Sequence, residues 1–261
     1  MPQTRSLQEV VVAIHFAGTL PITLTDLADW TRAYGGAEPA FQLLPHLPAA
    51  QMPAHSQQMP PIDLQLLTAT ASSLPRVRLR GSDKQTLYVL QDDRVAFGWQ
   101  RDVELGEEAD YPGYEALRGL WADEIARFAK WLLEHLSASF VPRLVELSYS
   151  NAYPLEVGGE KRRIGEILKI LTPAYHRQVT SFQVAWSEAV GSPGEAVVTA
   201  QAGLGSVPPG GLRVLGTNYL GLADISGRTH SADISETVLT AADMLHGRIL
   251  EIHRLAINSD D

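Results

Sequence analysis

One pattern runs through this 261-residue chain twice: a strand, a short helix, three strands and a long helix. In the first pass, period-two alternation over residues 7–16 sets Val10, Val12, Ile14 and Phe16 against Glu9, Val11, Ala13 and His15. Apolar side chains on both faces predict a central strand. A short helix follows, with Leu24, Leu27 and Trp30 at helical spacing, Thr25 as its expected cap and Gly35-Gly36 as its end. Strands are predicted over 76–80, 86–90 and 95–101, the last two flanking a Gln91-Asp92-Asp93-Arg94 hairpin turn. Leu117, Trp121, Ile125, Phe128, Leu132 and Leu136 then mark one face of a helix of about six turns.

The second pass opens with a predicted strand over 144–151 and a short helix over 162–171, where Ile164, Ile167, Leu168 and Leu171 face one way. Strands over 179–187, 196–201 and 212–223 lead to a long helix. Asp233 is its expected cap, with Glu236 three residues on, and its apolar face is Ile234, Val238, Ala241, Leu245, Ile249, Ile252 and Ala256. Strands joined by short turns make an antiparallel sheet, so the expected class is α+β. Two β-α-β-β-β-α halves, 1–140 and 141–261, would place about eight strands in one curved sheet with both long helices on one face. They form a single pseudo-symmetric unit in this reading.

Between the first helix and the second strand, residues 36–75 lose all periodicity, and Pro39, Pro45, Pro48, Pro53, Pro60, Pro61 and Pro75 remove backbone donors. Loops beyond about 15 residues usually have a use. This insertion is either a lid, an arm or a docking strap, or a surface wrap packed through Leu43, Leu44, Leu64 and Leu66.

Composition narrows the function classes. The chain carries 30 acidic and 21 basic side chains, for a net charge of −9, which argues against a general polyanion binder. The absence of cysteine removes disulfides, thiolate metal sites and cysteine nucleophiles together. Arg5 ahead of Val10, Val11, Val12, Ala13 and Ile14 imitates a secretion signal, but Glu9 interrupts the run. No stretch approaches the roughly 20 apolar residues that span a bilayer. The expectation is a cytoplasmic protein with no membrane partner.

The sequence carries few groups spaced for chemistry. His246 and His253, seven residues apart on one helix, are separated by about 10 Å, too far to share an ion. Gly203-Leu204-Gly205-Ser206, with Gly210-Gly211 behind it, lacks the Lys-Ser/Thr of a phosphate loop and reads as a hairpin connection. No G-x-S-x-G turn is present, and the acidic loop at 102–110 matches no calcium spacing. No metal, cofactor or catalytic residue is therefore assigned. Arg76, Arg78 and Arg80 alternate on one strand, which sets their guanidinium groups on one sheet face about 6.6 Å apart. Arg94 and Arg101 would extend that face. A guarded sheet edge, a surface for a partner protein and a track for single-stranded nucleic acid all remain open for it. Separately, His15, Tyr149, Asn151 and His246 are the polar groups that would serve a small ligand or nucleotide, with or without hydrolysis, in a cavity between sheet and helices.

Several segments together resemble a sporadically distributed prokaryotic family of about this length. They are the Leu7-Gln8-Glu9-Val10-Val11 opening that ends at Phe16, the Pro60-Pro61 stretch, the hairpin from Leu90 to Trp99, Tyr111-Pro112-Gly113-Tyr114-Glu115, the strand from Val145 to Asn151, and the closing helix with His246, Ile249 and His253. The match is weakest from Gly158 to Gly211. The resemblance implies a shared fold and no assigned activity, and the patchy distribution implies a toxin-associated or anti-phage defence context. The reading that follows is a non-catalytic binding or regulatory protein, partnered by another protein encoded nearby, with a homo-oligomer left open.

Overall fold

A computed structural model of the chain describes residues 7–35, 41–47, 74–101, 111–153, 156–157, 160–161, 183–189, 196–203, 212–222 and 231–256. Most of the proline-rich insertion, the acidic loop, the short helix expected at 162–171 and the glycine-rich turn lie outside the described residues.

Among the described residues the sheet is antiparallel and has nine strands: β1 (Leu7–Phe16), β2 (Phe41–Leu44), β3 (Arg76–Arg80), β4 (Thr86–Gln91), β5 (Arg94–Gln100), β6 (Pro142–Tyr153), β9 (Gln183–Ala189), β10 (Ala196–Gly203) and β11 (Leu212–Gly221). A separate two-stranded ribbon joins β7 (Glu156–Val157) to β8 (Glu160–Lys161). The helices among the described residues are α1 (Leu24–Gly35), α2 (Tyr114–Leu136) and α3 (Ser231–Ala256). Mixed α+β architecture is thus what the chain adopts. None of the described helices is long and apolar enough to cross a membrane.

Strand order across the sheet is β2-β3-β4-β5-β1-β6-β11-β10-β9. The order is symmetric about the β1–β6 junction: β5 and β11 flank it, then β4 and β10, then β3 and β9. Among the described strands, only β2 has no counterpart. It is one strand more than the pattern predicts, and it hid in the insertion because it is four residues long and runs straight into Pro45.

The central position of β1 follows from its side chains. Val10, Val12 and Ile14 are completely buried toward the helices, while Val11 pairs with Gly98 on β5 and with Ser148 on β6. β-Branched residues suit this doubly flanked, pleated surface. The start of α1 is fixed by a reciprocal cap. The Asp26 backbone N–H donates to Thr23 Oγ1 at 3.3 Å, and Asp26 Oδ2 accepts from the Thr23 backbone N–H at 2.7 Å. The cap expected at Thr25 therefore belongs to Thr23, because only Thr23 has a carboxylate three residues on to close the box. Likewise α3 begins at Ser231, ahead of the expected Asp233.

The long helices bury most of the stripes that periodicity marks; Leu136 is partly buried, and the side chains of Ile252 and Ala256 lie outside the described residues. Leu117, Trp121, Ile125, Phe128 and Leu132 of α2 and Ile234, Val238, Ala241, Leu245 and Ile249 of α3 all belong to one core with the helix-facing side chains of the sheet. Aromatic rings join the layers: Phe128 lies 6.2 Å from Phe16, 6.3 Å from Phe97 and 5.6 Å from Phe140. Tyr34 of α1 meets Tyr88 of β4 edge-on at 5.2 Å, and the Tyr88 hydroxyl donates to Glu124 of α2 at 3.1 Å. With one face filled in this way, the opposite face of the sheet is where side chains are available for other work.

Candidate functional site

On the face opposite the helices, the central strands surround a cavity of about 380 Å³. Strand alternation decides which residues reach it. Because Val10, Val12 and Ile14 point into the core, Glu9, Val11 and Ala13 point into the cavity. By the same parity β3 contributes Arg76 and Arg78, β5 contributes Arg94 and Ala96, β6 contributes Glu146 and Ser148, and β11 contributes Thr217 and Tyr219. Leu44, Leu47, Leu87 and Val89 supply an apolar wall.

The charges here are mostly matched. An Arg78 Nη2 donates to Glu9 Oε2 at 2.9 Å and Arg80 to Gln100 at 2.9 Å. Arg94 grips Asp93 with two bonds of 2.9 and 3.1 Å. Burial alone would raise the Asp93 pKa, but the Arg94 bonds and charge, with a bond from Gln91, hold the carboxyl below its ordinary value. His15, 1 % exposed, places Nε2 3.0 Å from Glu146 Oε2, and Ser148 Oγ is 3.1 Å from Glu146 Oε1. Arg76 is different. Its Nε is buried with no acceptor, and the described residues offer it no acidic partner. Burial lowers its pKa, and the neighbouring Arg94 and Arg78 charges push the same way.

His46, Asp92 and Asp93 bring ligand atoms within 4.8 Å of one another. The arrangement is better explained as a clasp than as a cation site. Both Asp93 oxygens serve Arg94, His46 Nε2 bonds Asp92 Oδ1 at 2.9 Å, and the Gln91 amide exchanges two 2.9 Å bonds with the Leu47 backbone. Together they fasten the end of the 41–47 segment to the β4–β5 turn. A guanidinium in direct contact with a prospective ligand opposes a divalent cation.

The arginines expected on one face divide. Arg76, Arg78, Arg80 and Arg94 do share it, whereas Arg101 donates through Nε to the Leu7 carbonyl at 3.0 Å and lies 6.0 Å from the ring of Trp99, a core residue. The small-ligand residues divide as well. Tyr149 donates to His246 Nδ1 at 2.8 Å within the sheet–helix layer, and Asn151 is buried two residues further along β6, while His15 lies across the sheet on the cavity face. Glu9, Asp93, Glu146, Ser148, Thr217, Tyr219 and His46 carried no expectation. Glu9 and Glu146 had a readable signal, an acidic side chain set by alternation on the face opposite the core residues of a central strand.

The Tyr149–His246 pair has a consequence for stability. His246 is stacked on Tyr114 at 3.7 Å with the rings 2° from parallel, and burial lowers its pKa against the opposing pull of Asp243 and Glu115. Tyr114 and Arg118 are themselves bonded to Asp243, at 2.9 and 3.0 Å. A histidine held neutral in the fold binds its proton more readily when unfolded. Its contribution is complete above the unfolded pKa and is lost as pH falls from there through the lower folded value. Urea midpoints should accordingly drop below about pH 6.5, and His246→Gln, which keeps an acceptor for Tyr149, should flatten that dependence.

A scan against protein-family models and a search of curated proteins each found no match for the chain.

Proposed function

We propose that this chain is a non-catalytic binding protein whose ligand seats in the cavity on the open face of the sheet. The observation that carries this reading is the cavity of about 380 Å³, with charged groups fixed on central strands beside an apolar wall. That volume suits a small metabolite or one or two side chains, and strand-borne groups hold their positions without reorganisation. The sheet–helix layer is a weaker candidate for a nucleotide, since the core residue Tyr149 is already bonded to the half-buried His246. Single-stranded nucleic acid is weaker too, because Arg78 and Arg94 are already matched by Glu9 and Asp93. The mirrored strand order supports reading 1–140 and 141–261 as duplicated halves of one unit.

A protein partner is the second reading, favoured by a groove of about 330 Å³ between α1 and β2, where Leu24, Phe41 and Leu43 are 65 %, 52 % and 61 % exposed. A toxin-associated or defence setting, as the family resemblance implies, would supply one.

Thermal-shift measurements over a panel of small anionic and zwitterionic metabolites test the first reading. A compound present at a hundred times its Kd should stabilise the protein by about 2.7 kcal/mol, a Tm rise of a few degrees. Ala96→Trp, which fills the cavity from β5, should abolish the shift. A panel that leaves the wild type unmoved, or a shift that survives the tryptophan, would overturn the reading. Binding to a protein that persists in Ala96→Trp but fails in Phe41→Asp would favour the groove instead.

A further inference from the structure

We infer that Arg76 anchors an anion site in this cavity, so that the ligand carries one compact oxyanion, phosphate or carboxylate, at the β3 end and hydrogen-bonding groups toward β6 and β11. The inference rests on the cavity reading above and adds the chemistry of the ligand to it.

Charge matching leads there. Of the guanidinium groups that line the cavity, Arg78 is paired with Glu9 and Arg94 with Asp93. Among the described residues, Arg76 alone is left with like charges beside it and a buried Nε that has no acceptor. A guanidinium does not shed its proton at any physiological pH, so it cannot relieve the conflict by neutralising. Leaving a buried donor unsatisfied is costly, and an oxyanion accepting from Arg76 would remove that cost while also offsetting the repulsion among the three arginines. With one unmatched cation among the described lining residues, the ligand's charge at this end is set to about one unit, which separates it from a polyanion.

The far end of the cavity asks for different chemistry. Glu146 is anchored by His15 and Ser148, and Ser148 Oγ is also 3.0 Å from Thr217 Oγ1. Tyr219 is kept protonated by burial and by the nearby Glu146 charge, so its hydroxyl remains a donor. Hydroxyl or amine groups on the ligand match this end.

Inorganic phosphate and sodium acetate, titrated into the full chain against chloride at equal ionic strength, test the site and separate the two oxyanions. Saturable binding of at least one is expected by calorimetry. Arg76→Met should weaken it on the order of tenfold or more, and Arg76→Lys should recover part of the loss. Arg80→Met, on the same strand but outside the cavity lining, should leave affinity unchanged. Equal weakening by Arg76→Met and Arg80→Met would reveal diffuse surface charge and overturn the assignment, as would a wild type that binds neither anion. Circular dichroism and urea midpoints establish that each variant folds. If Arg76→Met fails to fold, Arg76→Lys and Arg80→Met still decide between a placed guanidinium and charge alone. A metabolite from the panel that is lost in Ala96→Trp yet retained in Arg76→Met would overturn the anchor and leave the cavity standing, whereas retention in both would remove the cavity reading as well.

Discussion

Gly98→Ala is expected to cost roughly 2–3 kcal/mol from one added carbon, and Gly98→Val, which adds three, more. A Cβ at this position would sit 2.8 Å from Val11 Cγ2 and within the van der Waals shell of the Val10 carbonyl oxygen. That oxygen is backbone, held in the centre of the sheet by ladders to both β5 and β6. It cannot swing aside like a side-chain tip, so relief requires β1 to move against one neighbour or the other. Urea unfolding checks this directly, through a lowered midpoint at unchanged slope. A loss below about 0.5 kcal/mol would mean that the β1–β5 register gives more easily than its contacts imply.

Phe128→Ala is the second large effect, expected at about 3–5 kcal/mol. The ring is completely buried and meets Phe16 of β1, Phe97 of β5, Phe140 and, on its own helix, Trp131 at 6.0 Å. Strands, helix and the β6 approach therefore lose contacts at once, and rigid aromatic neighbours collapse poorly into the space. Phe128→Leu should lose noticeably less, because most of the volume stays. Comparable losses for the two would point away from a cavity cost and toward a specific demand for the ring, readable in the near-ultraviolet dichroism of Trp131.

The reach of the sequence can be traced through the same residues. Phe128 was legible because its helix repeats every 3.6 residues and the stripe from Leu117 to Leu132 needs no knowledge of what it meets. β1 was legible as a central strand from apolar residues on both faces. The site was not, because its pairs join distant parts of the chain. His15 and Glu146 are 131 residues apart, and Arg78 and Glu9 are 69 apart. Alternation gave each residue a face but not a neighbour; the same alternation puts Arg101, an odd number of residues from Arg94, on the core side with Trp99. The α1 cap shows the opposite case. Thr23 with Asp26 was readable from spacing alone, and Thr25 lacked the second half of the motif.

The symmetric strand order also sets a sequence of events during synthesis. β1 pairs on one side with β5 and on the other with β6, which begins at Pro142. When β5 has left the ribosome, β1 can close one ladder, but its second edge stays open until more than forty further residues have been made. An edge rich in valine and isoleucine is a template for any passing strand. The nascent protein is most vulnerable to intermolecular pairing in that interval, and α2, which completes before β6, is the element placed to shelter the strand's apolar face meanwhile.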